Sequence, residues 1–220
     1  MVGMGPLTVV ARDLVAVAAD NSRWMTWNLV LAVIPAALAV VVFRHRGPRT
    51  GLWWTGAALC ALFLPNAPYV ITDLVHLRGD VLRAGSDFAV IAGVLPVYAA
   101  FIGVGLLAYV LAVDEMGRYL TRVGLGRRRG TAELATHAVC ALGVVLGRVA
   151  RLNSWEPVTE PHSTAERIVL TLTWRGAPLA VLLMFAAIWV SHGATRALLR
   201  SAMATVVSVA RSAQRLTRPA

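Results

Sequence analysis

Long apolar runs alternate along this chain with short segments that carry arginine. A helix needs about 20 apolar residues to cross a hydrocarbon core about 30 Å thick. Four runs approach or exceed that length: Trp27 to Phe43 (span A), Leu52 to Thr72 (span B), Phe88 to Val113 (span C), and a last run that begins at Ile168 or Ala177 and ends at Leu199 (span E). A fifth, Leu134 to Val149 (span D), is shorter and is flanked by Glu133 and Arg148. The pattern predicts an all-α fold, a polytopic transmembrane helix bundle of about five spans forming a single membrane domain over 1–220, with spans near 27–43, 52–72, 88–113, 134–149 and 177–199. Ahead of span A, Leu7, Val10, Ala11, Leu14 and Ala18 share one helical face while Arg12 and Asp13 lie elsewhere. That is the pattern of an interfacial amphipathic helix or of a truncated sixth span. After span E, residues 200–220 read as a basic cytoplasmic tail helix lying on the anionic inner leaflet.

Composition supports the membrane reading. The 220 residues are 58% hydrophobic and only 15% charged, against roughly 25% charged in a soluble domain, and the mean hydropathy is +0.67. All 21 basic residues are arginine and the net charge is +10. Nucleic-acid binding would need that charge gathered on one face among aromatics, whereas these arginines sit between apolar runs, so no nucleic-acid partner is expected. Cys60 and Cys140 both fall inside apolar runs and read as small hydrophobes, without a disulfide or a metal. Met1 to Ala19 lacks the basic start and apolar centre of a cleavable signal.

Charge also orients the chain. With Arg196 and Arg148, at the ends of spans E and D, counted in the segments that follow them, the segments between A and B, between C and D, and after E hold thirteen arginines and three acids; the complementary segments hold eight of each. The positive-inside rule then places the first set in the cytoplasm, giving an N-out, C-in protein of the plasma membrane.

Two polar clusters interrupt the apolar pattern. In LFLPNAPYVITDLVHL, Leu62 to Leu77, Pro65 and Pro68 bracket Asn66 only 13 residues after Leu52, roughly 20 Å of helix. Span B should therefore break near the outer leaflet, with Asn66 capping the next segment. That segment puts Tyr69, Asp73, His76, Asp80 and Arg83 on one stripe, with Val70, Leu74, Leu77 and Val81 opposite, the pattern of an interfacial helix with a polar face. At the end of span D, GRVARLNSWE, Gly147 to Glu156, stacks Arg148 and Arg151 one turn apart and then leaves the helix through Asn153, Ser154 and Trp155. Two crossings, C and D, separate the clusters, so both emerge on one side of the membrane. Asn28 begins span A and Asp87 begins span C on that side, so Asn28, Asn66, Tyr69, Thr72, Asp73, His76, Arg148, Arg151, Asn153 and Ser154 are candidates for a convergent site.

These two motifs, together with WNLVLAVIP, Trp27 to Pro35, resemble a bacterial membrane family known as domain of unknown function 1361, over about Trp27 to Val190. The last motif ends in Glu156 where the family pattern has Asp. The resemblance implies a multi-span membrane protein and supplies no catalytic residues.

Each candidate has a sharp and a plain reading. Asp73 and His76, three apart, suit an acid/base pair or a metal, or simply a solvated face. Arg148 and Arg151 suit capture of an anionic group, or an ion pair to Asp73 or Asp80. Glu133, His137 and Cys140 share a face of span D with Arg148, which permits a proton path, but Glu133 and His137 lie near the cytoplasmic end, where water suffices for them. His45 and His192 read as cytoplasmic-edge residues without a special role, Gly143 and Gly147 as a close-packing pair, and Pro96 as a kink in span C. Neither a nucleophile elbow, a phosphate loop, HExxH nor a cysteine cluster occurs. The expected ligand set is Asn66, Tyr69, Asp73, His76, Arg148, Arg151, Asn153 and Ser154, with no metal and no cofactor; Asp73 and His76 are the catalytic candidates should there be a reaction. The reading from sequence is a membrane binding or accessory protein for an anionic lipid headgroup or a protein partner, open to oligomerisation. The alternatives are a membrane-embedded enzyme acting on a lipid-linked substrate and a transporter subunit.

Overall fold

Backbone amides in hydrocarbon have no water to bond, so they must bond to one another. Every regular element among the described residues is accordingly helical. The computed structural model describes residues 6–216, with side chains described for 21–211 and for Val15 and Ala19. Its α-helices are α1 (Pro6–Arg44), α2 (Gly51–Phe63), α3 (Asn66–Tyr69), α4 (Leu74–Arg83), α5 (Asp87–Ala89), α6 (Leu95–Arg122), α7 (Arg129–Val149), α8 (Glu156–Thr159), α9 (Pro161–Thr173) and α10 (Ala177–Leu216). Tighter 3-10 turns occupy Val70–Asp73 and Gly126–Arg128, and a wider π segment occupies Val90–Val94. Among the described residues, five stretches are long and apolar enough to cross a membrane: Asn21–Arg44, Gly51–Arg83, Asp87–Arg122, Gly126–Val149 and Ala177–Arg211. The protein is thus an all-α bundle of the multi-pass membrane type.

Helix α1 is the hub because small residues on one face let its neighbours approach. Ala32 and Ala39 are wholly buried and Ala36 nearly so, and α6, α2 and α3 all pack against this helix. A hairpin joins α1 to α2, where Trp53 Nε1 donates to the Val42 carbonyl at 2.9 Å. Two further packings depend on the lack of a side chain. A Cβ at Gly105 on α6 would meet Val70 Cγ2 at 2.6 Å and the Ala67 carbonyl at 2.9 Å, and one at Gly143 on α7 would meet Pro65 Cγ at 2.7 Å. Both glycines therefore seat helices against the interrupted second span. Large apolar side chains such as Val30, Leu107, Leu182 and Trp189 remain exposed, as expected of surfaces that face lipid.

Several details differ from the sequence expectations. Helix α1 does not begin at Trp27: it runs 39 residues from Pro6, about 58 Å, so Asn28 lies mid-helix. The face expected for Leu7 to Ala18 lies outside the described side chains. Span B breaks its hydrogen bonding without turning aside, since Leu64 and Pro65 keep right-handed helical dihedrals. Pro96 sits at the second position of α6, and the irregularity falls before it, where Leu95 N–H bonds the Val90 carbonyl five residues back. Span E is separated from α9 by the extended Trp174. It continues without a break through Leu216, so the tail is an extension of the same 40-residue helix. His137 and His192, expected at a wet edge, are 0% and 2% exposed.

Gly143→Val is expected to destabilise the protein by about 1–3 kcal/mol, the usual range for overpacking, whereas Gly103→Ala, with open space around its Cβ position, should change little. Thermal unfolding in detergent checks both, and equal midpoints would mean that α7 does not seat on Pro65 as described.

Candidate functional site

Prolines at 65 and 68 have no N–H to donate, so they leave carbonyls one turn earlier without helical partners. The chain repairs this locally. Ala67 N–H bonds the Leu64 carbonyl at 3.2 Å, which frees the Phe63 carbonyl, and the Asn66 amide takes it at 2.8 Å. Asn66 is itself the first residue of α3, after the helical Pro65, so its side chain reaches backward to the preceding turn and does not cap the next segment. The same amide nitrogen donates to Ser154 Oγ at 2.7 Å, tying the break in the second span to the segment after α7.

The 3-10 turn that follows brings the two acids of the polar stripe inward. Asp73 and Asp80 are 1% and 2% exposed, while Leu74 is 44% exposed, so the two acids of the stripe turn inward, against the polar-out face expected from the sequence, while His76 and Arg83 stay outside and Val70, Leu77 and Val81 still pack on the core. The reason is the set of donors brought by other helices. Asp73 accepts from Asn28 Nδ2 of α1 at 2.8 Å and pairs with Arg148 Nη1 of α7 at 3.4 Å. Asp80 accepts from Asn21 Nδ2 and from the Tyr98 hydroxyl, both at 2.7 Å, and from Arg83 at 2.8 Å. His76 stays exposed with its ring 4.9 Å from that of Trp24.

Arg148 is held from several sides. Besides Asp73 it donates to the Tyr69 hydroxyl and the Thr72 carbonyl, each at 3.2 Å, and its guanidinium lies 5.7 Å from the Tyr69 ring centroid. The two polar clusters therefore touch, and of the two pairings open in the sequence the structure has Arg148 with Asp73. Arg151 does not join them. Helix α7 ends at Val149 and Arg151 adopts φ +53°, so it is not stacked over Arg148, and its side chain is exposed. Asn153 donates to Glu156 at 2.6 Å, and Glu156 also pairs with Arg167 of α9 at 3.2 Å.

Beside this network lies a cleft of about 380 Å3 between α1, α2, α7 and α9. Leu31, Leu62, Leu142, Leu146 and Ile168 give it apolar walls; Asn28, Asn66, Tyr69, Asn153, Ser154 and Thr164 give it polar groups; and Trp27 and Trp155 also line it. Asp73, His76, Arg148 and Arg151 are not among its lining residues. Three of the lining residues are hydroxyls with a proton to give. Tyr69 and Ser154 each accept a hydrogen bond, and Thr164 Oγ1 is buried with no partner. Thr164 and Ile168 were not readable as site residues, since they belong to a separate helix whose approach to α7 is set by tertiary packing. Asn21 and Tyr98 likewise meet Asp80 only through tertiary packing.

A multi-pass helical membrane protein with a mixed polar and apolar cleft beside a buried ion pair is the class these features define. Its central region, residues 27–191, matches the model of the family described as protein of unknown function DUF1361, and the chain belongs to that family. No curated protein and no solved structure matches it.

Arg148→Met is expected to destabilise by about 3 kcal/mol, the lower end of the cost of leaving a buried partner uncompensated, since a third of the arginine side chain is exposed. Adding Asp73→Asn should restore part of that loss, with a coupling of about 1–3 kcal/mol in a double-mutant cycle. Strict additivity would mean that the pair does not hold the bundle.

Proposed function

We propose that this protein binds an amphiphile of the outer leaflet in the cleft between α1, α2, α7 and α9, with apolar chain against the leucine walls and an oxygen-rich headgroup at the hydroxyls. The observation that carries this reading is the combination of apolar walls with three hydroxyl groups, one of which, Thr164, is buried and unpartnered. Hydroxyl donors suit acceptors such as phosphate or ester oxygens. Arg148 stands one hydrogen bond behind Tyr69 and favours a negative headgroup without touching it. Trp27 and Trp155 at the cleft suit an aromatic belt at the membrane interface. An acid/base role for Asp73 and His76 has less support, because Asp73 is enclosed by Asn28 and Arg148, and neither residue lines the cleft.

The proposal includes an N-out, C-in orientation in a bacterial plasma membrane, supported by the arginine asymmetry. Cys60 and Cys140 are buried, so single introduced cysteines report topology over a low background. His162→Cys is expected to react with an impermeant maleimide in intact cells, and Arg127→Cys only after permeabilisation; the reverse pattern places the cleft at the inner face.

Binding itself is testable with spin-labelled phospholipid in detergent or nanodiscs. Ala61→Trp, which fills the cleft from an exposed position, should reduce the immobilised lipid fraction severalfold without lowering the unfolding midpoint, and Thr164→Val should reduce it less. A folded Ala61→Trp protein that immobilises as much phospholipid as wild type rules the cleft out as the binding site.

A further inference from the structure

At the other end of the bundle from the cleft, a second polar cluster joins α6, α7 and α10. Glu133 and His137 stand one turn apart on α7, and His192 faces them from α10. A carboxylate oxygen and one ring nitrogen from each histidine lie within 4.8 Å of one another. The two imidazole rings are 4.8 Å apart, centroid to centroid, at 61°.

Both histidines have one nitrogen engaged and one unused. His137 Nδ1 is 2.7 Å from the Tyr109 hydroxyl, and His192 Nδ1 is 3.4 Å from Glu133 Oε1. The Nε2 atoms of both are buried without any partner. Two unpaired nitrogens on adjacent rings that are 0% and 2% exposed are costly to leave unsatisfied. His192 turns Nδ1 toward Glu133, so that nitrogen and the carboxylate face a common point; His137, in the tautomer protonated at Nδ1, donates to the Tyr109 oxygen and leaves Nε2 with an open lone pair. That is the form in which imidazole ligates a metal, its other nitrogen oriented by an oxygen behind it.

We propose that Glu133, His137 and His192 bind one divalent transition-metal ion of the zinc class. Two imidazoles and a carboxylate are a donor set that zinc accepts, with the fourth position left to water. Tetrahedral ligands about 2.0–2.1 Å from zinc stand about 3.3 Å from one another, so loading draws the three side chains inward. Arg196 does not prevent this. It contacts Glu133 at 3.2 Å and also Asp114 at 3.3 Å, so Glu133 can turn to an ion while the guanidinium keeps a partner. Arg196 also lines a cleft of about 510 Å3 with Asp114, Arg129 and Arg200; Glu133 is not among its lining residues, so an ion entering there would reach it past the Arg196 guanidinium. The plainer alternatives are a trapped water bridging the imidazoles and a ring pair that simply packs.

The test uses tag-free full-length protein in detergent, stripped with a chelator and titrated with Co2+ and then Zn2+. The expected result is visible d–d absorption that saturates at one Co2+ per chain, is displaced by Zn2+, and accompanies a rise in the thermal midpoint. His137→Gln and His192→Gln should each abolish the bands. Tyr109→Phe, which removes the oxygen positioning His137, should weaken affinity roughly 10-fold. His162→Gln removes the exposed surface pair with Glu166 and should change nothing. Wild-type protein that shows neither the bands nor a Zn2+-dependent midpoint overturns the proposal in favour of water or packing, even where a histidine variant does not fold. Bands that survive in both folded histidine variants place the ion elsewhere and overturn it equally.

Discussion

A carboxylate enclosed in an apolar bundle must be met by donors from other helices, and Asp73 makes that demand where the second span has lost its regular hydrogen bonding. Asn28 answers from α1 and Arg148 from α7. Once Arg148 is committed, the end of α7 is placed against the second span. The segment beyond it brings Ser154 to Asn66 and leaves the cleft between them. A charge at this depth is tolerated only when paired, so the network follows from a solvation requirement. The prolines contribute the complementary half: they break the backbone ladder, and the Asn66 amide takes the Phe63 carbonyl that the break leaves free.

The two ends of the bundle handle polarity differently. Around the cleft, amides and hydroxyls predominate and the arginine is turned to structural use, which leaves neutral donors for a ligand. At the opposite end, charges pair directly between helices. Arg44 of α1 reaches the 2%-exposed Glu115 of α6 at 2.6 Å, joined by Arg118 at 3.2 Å. Asp114, Arg129, Glu133 and Arg196 link α6, α7 and α10. Ion pairs of this kind keep long helices in register where hydrophobic contacts with neighbouring helices are no better than contacts with lipid. His137 and His192 sit just inside that belt, and their Nε2 atoms are the buried side-chain nitrogens there that lack a partner among the described residues.

Much of the site was legible because membrane topology reduces to counting. Two intervening spans put the proline motif and the Arg148 motif on one side, and the cost of an unpaired charge made an Asp73 or Asp80 partner one of only two sensible roles for Arg148. What could not be read was rotation. Asp73, Asp80 and His76 share a stripe by spacing, yet the 3-10 turn and the donors on α1 and α6 turn the two acids inward and leave the histidine outside. Helical periodicity stacks Arg151 on Arg148, but the helix ends at Val149 and Arg151 itself is left-handed. His192 looked peripheral because sequence position relative to the ends of a span says nothing about which neighbour covers it.

Sequence by itself determined that the chain is a helical bundle with five long apolar segments and which polar motifs share an end of it, since these depend on local hydropathy and on parity of crossings. Tertiary structure alone decided which face of each helix turns inward, which acid takes Arg148, and that Thr164 and His192 lose their contact with water. Those outcomes are properties of helix pairs: a buried polar atom is defined by what lies across from it, and residues distant in the chain supply that partner.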